Sequence, residues 1–133
     1  MTLEPFAVAP VVIQVHVVAV LSAAALGIWM FVQPKGTRVH RVTGRVWMAT
    51  IVLAALSSFL ITTKSPVVGP FGIIHGLSVI VLVLVVLAIL SARAGRIRAH
   101  RRIVIGLYIG AILGAGSGAL MPGRLISRIL GYA

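Results

Sequence analysis

"KGTRVHRVTGRVW", residues 35–47, places Lys35, Arg38, His40, Arg41 and Arg45 within thirteen positions of a chain that is 60% hydrophobic. A second stretch, "AGRIRAHRRIVIGLY" at 94–108, repeats the arrangement with Arg96, Arg98, His100, Arg101 and Arg102. The sequence around them is almost continuously apolar. How these two basic stretches divide the apolar runs decides the fold.

At 133 residues the chain has room for one domain. Its mean hydropathy of +1.17, with 10% charged residues, lies far outside the range of soluble globular domains. One acid, Glu4, faces twelve Lys and Arg, giving a net charge of +11. The basic residues sit between apolar runs and form neither a face nor a tail, so nucleic acid is not the expected partner. A bilayer with anionic lipid on its cytoplasmic side fits the pattern better. There is no cysteine, which excludes disulfides, thiolate metal sites and thiol catalysis.

Apolar runs of this length read as membrane spans, since about 20 helical residues cross about 30 Å of hydrocarbon. Four are expected, at about 6–32, 44–63, 69–92 and 101–121, the second borrowing a turn from the basic segment before it. "MTLEPF" has an acid where a signal peptide needs a basic region, so the first run is expected to be a permanent span. Pro66 and Pro70 in "TTKSPVVGPF" separate the second span from the third. After Pro122, "GRLISRILGYA" reads as a short interfacial helix over about 123–131. The expected fold is all-α: one domain, 1–133, of four transmembrane helices in an up-down bundle of two repeated hairpins.

Nine Lys and Arg fall in the connections between spans one and two and between three and four; Lys64, Arg124 and Arg128 make three on the other side. The positive-inside rule then puts both basic connections in the cytoplasm and both termini outside. Trp29 and Trp47 are expected at the cytoplasmic interface as an aromatic belt.

Topology does not explain the histidines. His16 and His40 are 24 residues apart, His75 and His100 are 25 apart, and each pair brackets one apolar run and one basic turn. The matched spacing implies a parallel repeat. At ~1.5 Å per residue, His16 and His75 lie about 27–29 Å from the basic ends, and His40 and His100 lie at them. Spans one and three are diagonal in an up-down bundle, as are two and four. The four histidines thus form two pairs at two depths, His16 with His75 and His40 with His100.

Two bis-histidine pairs near opposite membrane surfaces match the architecture of two-haem membrane cytochromes b, with haem b as cofactor. In that reading Gly44, one turn beyond His40, admits a porphyrin edge, and Arg41, Arg45, Arg101 and Arg102 pair with propionates. Other readings stand beside it. His40 and His100 suit lipid phosphate; His16 and His75 suit each other, a main-chain carbonyl or a quinone. A divalent metal lacks Cys, Asp or Glu as further ligands.

The last span carries Gly106, Gly110, Gly114 and Gly118 at strict i, i+4 spacing. This forms a groove where a helix of the same bundle, or of another subunit, approaches closely.

An early intramembrane His16, "PKGT" at 34–37 followed by His40, Arg41 and Gly44, "GPF" at 69–71 with His75, and "AHRR" at 99–102 together resemble an uncharacterised bacterial family of small four-helix predicted membrane proteins, a domain of unknown function. The resemblance spans nearly the whole chain and implies a bacterial membrane protein; with the charge count, the expected location is the inner membrane with both termini periplasmic. It implies no reaction. Two functions follow from the residues: a b-haem electron carrier with quinone as a candidate partner, or a cofactor-free accessory or scaffolding subunit of a larger membrane complex. A hydrolase is poorly served, because Glu4 is the sole acidic side chain.

Overall fold

The computed structural model describes residues 1–61, 72–120, 122 and 124–132. The expected loop at 62–71, with Lys64, Pro66, Pro70 and the "GPF" motif, lies outside them. The described residues form helices and no strand: α1 (Glu4–Ala7), α2 (Val11–Val32), α3 (Arg38–Ser58), α4 (Ile73–Arg93), α5 (Ile97–Ala119) and α6 (Leu125–Leu130).

The first expected span divides. Pro10 has no N–H to donate and steers Ala9 out of helical geometry, so α1 stops and α2 starts with Pro10 as its N-cap. Gln14 on α2 satisfies the carbonyls this break exposes, donating from Nε2 to Ala9 at 2.9 Å and Ala7 at 3.3 Å. α3 begins inside the basic stretch. Thr37 caps it, its Oγ1 accepting from the His40 N–H at 3.1 Å.

Both basic connections turn through a glycine in the left-handed region, Gly36 at φ 78° and Gly95 at φ 71°. His40 and His100 follow on the first turns of α3 and α5. The two hairpins therefore share a turn chemistry as well as a hydropathy pattern.

The long helices pack in chain order, α2 on α3, α3 on α4 and α4 on α5, while α2 and α5 touch more lightly. Both basic turns thus lie at one end of the bundle. At the other end α1 packs on α6, and the Thr2 N–H donates to the Ile129 carbonyl at 3.1 Å.

Trp47 and Leu107, each 1% exposed, centre the core with Ala23, Ile51, Ala55, Val81 and Val85. Trp47 corrects an expectation: it lies inside the bundle, where its indole N–H donates to the Ala23 carbonyl at 2.8 Å. A buried indole needs an acceptor, and the inner face of α2 supplies one. Trp29 is exposed.

Large apolar side chains cover the outside, including Leu21, Ile28, Val83 and Leu113, while several buried positions are Ala and Ser. Such a surface belongs in an apolar medium. Among the described residues two helices, Val11–Val32 and His75–Arg93, are long and apolar enough to cross a membrane. The remaining long helices, α3 and α5, each carry three Arg in their opening turns.

Candidate functional site

The turns that start α2 and α4 and the turn that ends α3 meet at the end of the bundle away from the basic connections. They bring together His16, Ser57, Ser58, His75 and Ser78. His16 Nδ1 lies 2.9 Å from the Ala54 carbonyl and 3.0 Å from Ser57 Oγ, which itself donates to the same carbonyl at 3.0 Å. A carbonyl only accepts, so His16 carries its proton on Nδ1 and keeps a lone pair on Nε2. Beside it Ser58 Oγ donates to the Ala55 carbonyl at 2.6 Å and meets Ser78 Oγ at 2.5 Å.

His75 has the opposite tautomer. At the third position of α4 it turns back, and its Nδ1 accepts the Gly72 N–H at 3.0 Å. That bond satisfies one of the donors orphaned at a helix start, and it leaves the ring proton on Nε2. His75 is buried, with its ring centroid 5.8 Å from that of Phe59. The two outer histidines thus share one end of the bundle but present different ring edges for bonding.

A small, open cleft with a cavity volume of about 50 Å³ runs into this polar cluster. His16, Ser58 and Ser78 are its polar lining, and Val20, Leu77 and Ile112 are among its apolar walls. The sequence gives these serines as rare polar residues in apolar runs; their partnership with His16 depends on rotations of α2, α3 and α4 that spacing does not encode.

At the basic end, His100 Nδ1 lies 2.8 Å from the Ala88 carbonyl and therefore carries a proton that it donates there. His40 holds its proton less tightly than usual, through burial first, then the charge of Lys35, then that of His100. The diagonal pair is therefore within electrostatic reach. His40 Nδ1 and both amide atoms of Gln33 are buried and lack hydrogen-bond partners among the described residues. Lys35 Nζ donates to the carbonyls of Met30 and, at 3.0 Å, Gln33, closing the end of α2. Arg41, Arg45, Arg101 and Arg102 are exposed.

At Gly44 a Cβ would lie 3.4 Å from Met30 Cε, an ordinary contact with the flexible end of a side chain on α2. The glycines of α5 turn the other way. Gly106 and Gly110 are exposed, with nothing within 4 Å of a Cβ, and a Cβ on Gly114 would only touch Leu77 at 3.6 Å. The surroundings of Gly118 lie outside the described residues. The packed face of α5 is instead Leu107, Tyr108 and Ala111.

Sequence reasoning missed Tyr108. Its hydroxyl donates to the Ala24 carbonyl at 3.1 Å, its ring meets Phe31 edge-on at 5.2 Å, and its centroid is 6.4 Å from that of Trp47. No motif marks it in the sequence.

Among the described residues no three His, Cys, Asp or Glu side chains gather as a metal site. No curated protein and no solved structure matches the chain, and the likeness to two-haem cytochromes b receives no support from either comparison. One family does match, described as "Predicted membrane protein (DUF2306)", over residues 13–128. With a match that takes in all but the first two residues of the four long helices, the chain belongs to this family of predicted membrane proteins, a domain of unknown function.

Proposed function

We propose that the protein is a four-span bacterial inner-membrane subunit that joins a larger membrane assembly through the glycine face of α5. In this reading α3 and α5 cross the bilayer with α2 and α4, both basic connections lie in the cytoplasm against anionic lipid, and both termini are periplasmic. The observation that carries it is the outward turn of Gly106 and Gly110, exposed and with open space where each Cβ would stand. A helix presents such a face to another helix at close range, because lipid chains cannot fill it as closely as a backbone can. The test is the size of the native particle in mild detergent. Gly110→Leu should shrink it while leaving helical content and thermal midpoint unchanged; an unaltered particle would remove the docking role.

A second reading, carriage of one electron at a time by a b-type haem, rests on the inner histidines. His100 has the tautomer an axial ligand needs, its Nδ1–H held by a main-chain carbonyl, and His40 stands within electrostatic reach of it. Arg41, Arg45, Arg101 and Arg102 would flank the propionates. The outer pair is left out of this reading, because the Nδ1 lone pair of His75 is already engaged with Gly72. A reduced-minus-oxidised absorbance spectrum of protein from haem-supplied cells decides it: a component lost in both His40→Ala and His100→Ala supports the carrier. Protein without a Soret band ends it.

A further inference from the structure

We infer that the cleft at His16 binds the head of a lipid-soluble molecule bearing a terminal hydroxyl, with His16 Nε2 as the acceptor and the Ser58–Ser78 pair beside it. This goes beyond the docking role of α5 and does not depend on it, since the cleft uses Ala111 and Ile112 and not the glycine face.

The chemistry follows from what the cleft offers. His16 has one ring nitrogen fixed as a donor by the Ala54 carbonyl, so the other can only accept. Ser58 and Ser78 are already tied to Ala55 and to each other, which keeps that side of the floor polar and in place. Every other lining residue is apolar. An apolar pocket with a few convergent polar groups is the usual form of a small-molecule site.

The route of entry follows from the packing. Of the four sides of the bundle, the side between α2 and α5 is the most lightly packed. It is held by Tyr108, through Ala24 and Phe31. Val20 and Ile112, which line the cleft, lie beyond Tyr108 on the side away from the basic turns. α2 is itself long and apolar enough to cross a membrane, so a visitor entering along it comes from the hydrocarbon and not from water. It must therefore have an apolar body, and it must bring the proton that Nε2 lacks. A hydroquinone and a long-chain alcohol share this chemistry.

The structure also supplies a reporter. Trp47 bonds to the carbonyl of Ala23, and Ala23 lines the cleft. With Trp29→Phe, Trp47 becomes the single tryptophan. That protein in lipid nanodiscs is titrated with a decyl-substituted benzoquinol, with the matching benzoquinone, and with 1-dodecanol. Trp47 fluorescence, corrected for absorbance and for empty nanodiscs, is the readout.

Saturable change with the quinol or the alcohol, and at least tenfold weaker binding of the quinone, which has no hydroxyl, is the expected result. Which hydroxyl compound binds identifies the source. His16→Ala should weaken binding about tenfold, the worth of one hydrogen bond of about 1.4 kcal/mol. Ala111→Phe, which fills the cleft from another wall and leaves His16 in place, should abolish it. A thermal melt confirms that each variant is folded, and Ala111→Phe keeps the test open if His16→Ala is not. Equal binding of quinol and quinone, binding unaltered by Ala111→Phe, or no saturable change with any compound would overturn the site.

Discussion

Tyr108 lies so close to Gly27 that a Cβ on the glycine would overlap Cε2 of the ring. The ring cannot swing away, because its hydroxyl is bound to the Ala24 carbonyl one turn earlier on the same helix. Gly27→Ala should therefore destabilise the bundle by roughly 1–3 kcal/mol, the usual cost of overpacking. Gly106→Ala, where a Cβ meets nothing, should leave the thermal midpoint unchanged or raise it, since alanine favours helix. Equal effects in a detergent melt would show that the contact is not tight.

Tyr108→Phe removes only the hydroxyl and its 3.1 Å bond. The expected loss is about 1 kcal/mol, smaller than that of Gly27→Ala, because the ring still fills its place against Phe31. A chemical-denaturation series on the two variants ranks them.

His75 caps α4, and a cap can be exchanged for another cap. His75→Ala should cost about 1 kcal/mol and speed hydrogen exchange at the Gly72 amide. His75→Gln should restore both, because glutamine at this position reaches back in the same way. If Gln fails where His succeeds, the imidazole has a duty beyond capping.

His40 gives the stability of the bundle a pH dependence with a definite sign. Its folded pKa lies below the ordinary imidazole value of about 6.5, so the unfolded chain takes up the proton first as pH falls. Stability due to His40 is thus intact above about 6.5 and is lost as pH drops from there through the lower folded value. Thermal midpoints of wild type and His40→Gln at pH 7.5 and pH 5 should diverge, with the wild type falling further. Parallel falls would assign the slope to other groups.

The proposed orientation is open to reporter fusions. Reporters placed after Ala133 and between Thr62 and Pro70 should both read periplasmic, and one near Gly95 should read cytoplasmic, following the bias of nine basic residues to three. A cytoplasmic C-terminus with a periplasmic Thr62–Pro70 loop would mean a different number of spans, and reversal of all three reporters would mean the inverted orientation.

The helices were legible because two periodic signals agree in this chain. Apolar runs fix where the helices are, and the basic turns with Gly36 and Gly95 fix where they reverse. Pro10 was legible in principle, since proline and its effect on Ala9 end a helix whatever the hydropathy around it. Direction was not legible. Spacing places four glycines on one side of α5, yet only packing decides that Leu107 and Tyr108 face inward and Gly106 and Gly110 face out. The same gap separates the histidine spacing from the histidine chemistry. Spacing puts His16 and His75 at the end of the bundle away from the basic turns, while the choice of tautomer depends on Ala54 and Gly72, whose placement depends on how three helices rotate. Trp47 went the other way from the interfacial habit of tryptophan because the Ala23 carbonyl offers its N–H a partner inside.

The light contact between α2 and α5 also makes the bundle mechanically uneven. Parting either hairpin means separating two helices along most of their length, and parting α3 from α4 exposes the middle of the core. Parting α2 from α5 requires little more than the release of Tyr108 from Ala24 and Phe31. Thermal breathing should therefore concentrate along that side, the hairpins moving as two stiff leaves about the α3–α4 contact, with one aromatic side chain setting how often they open.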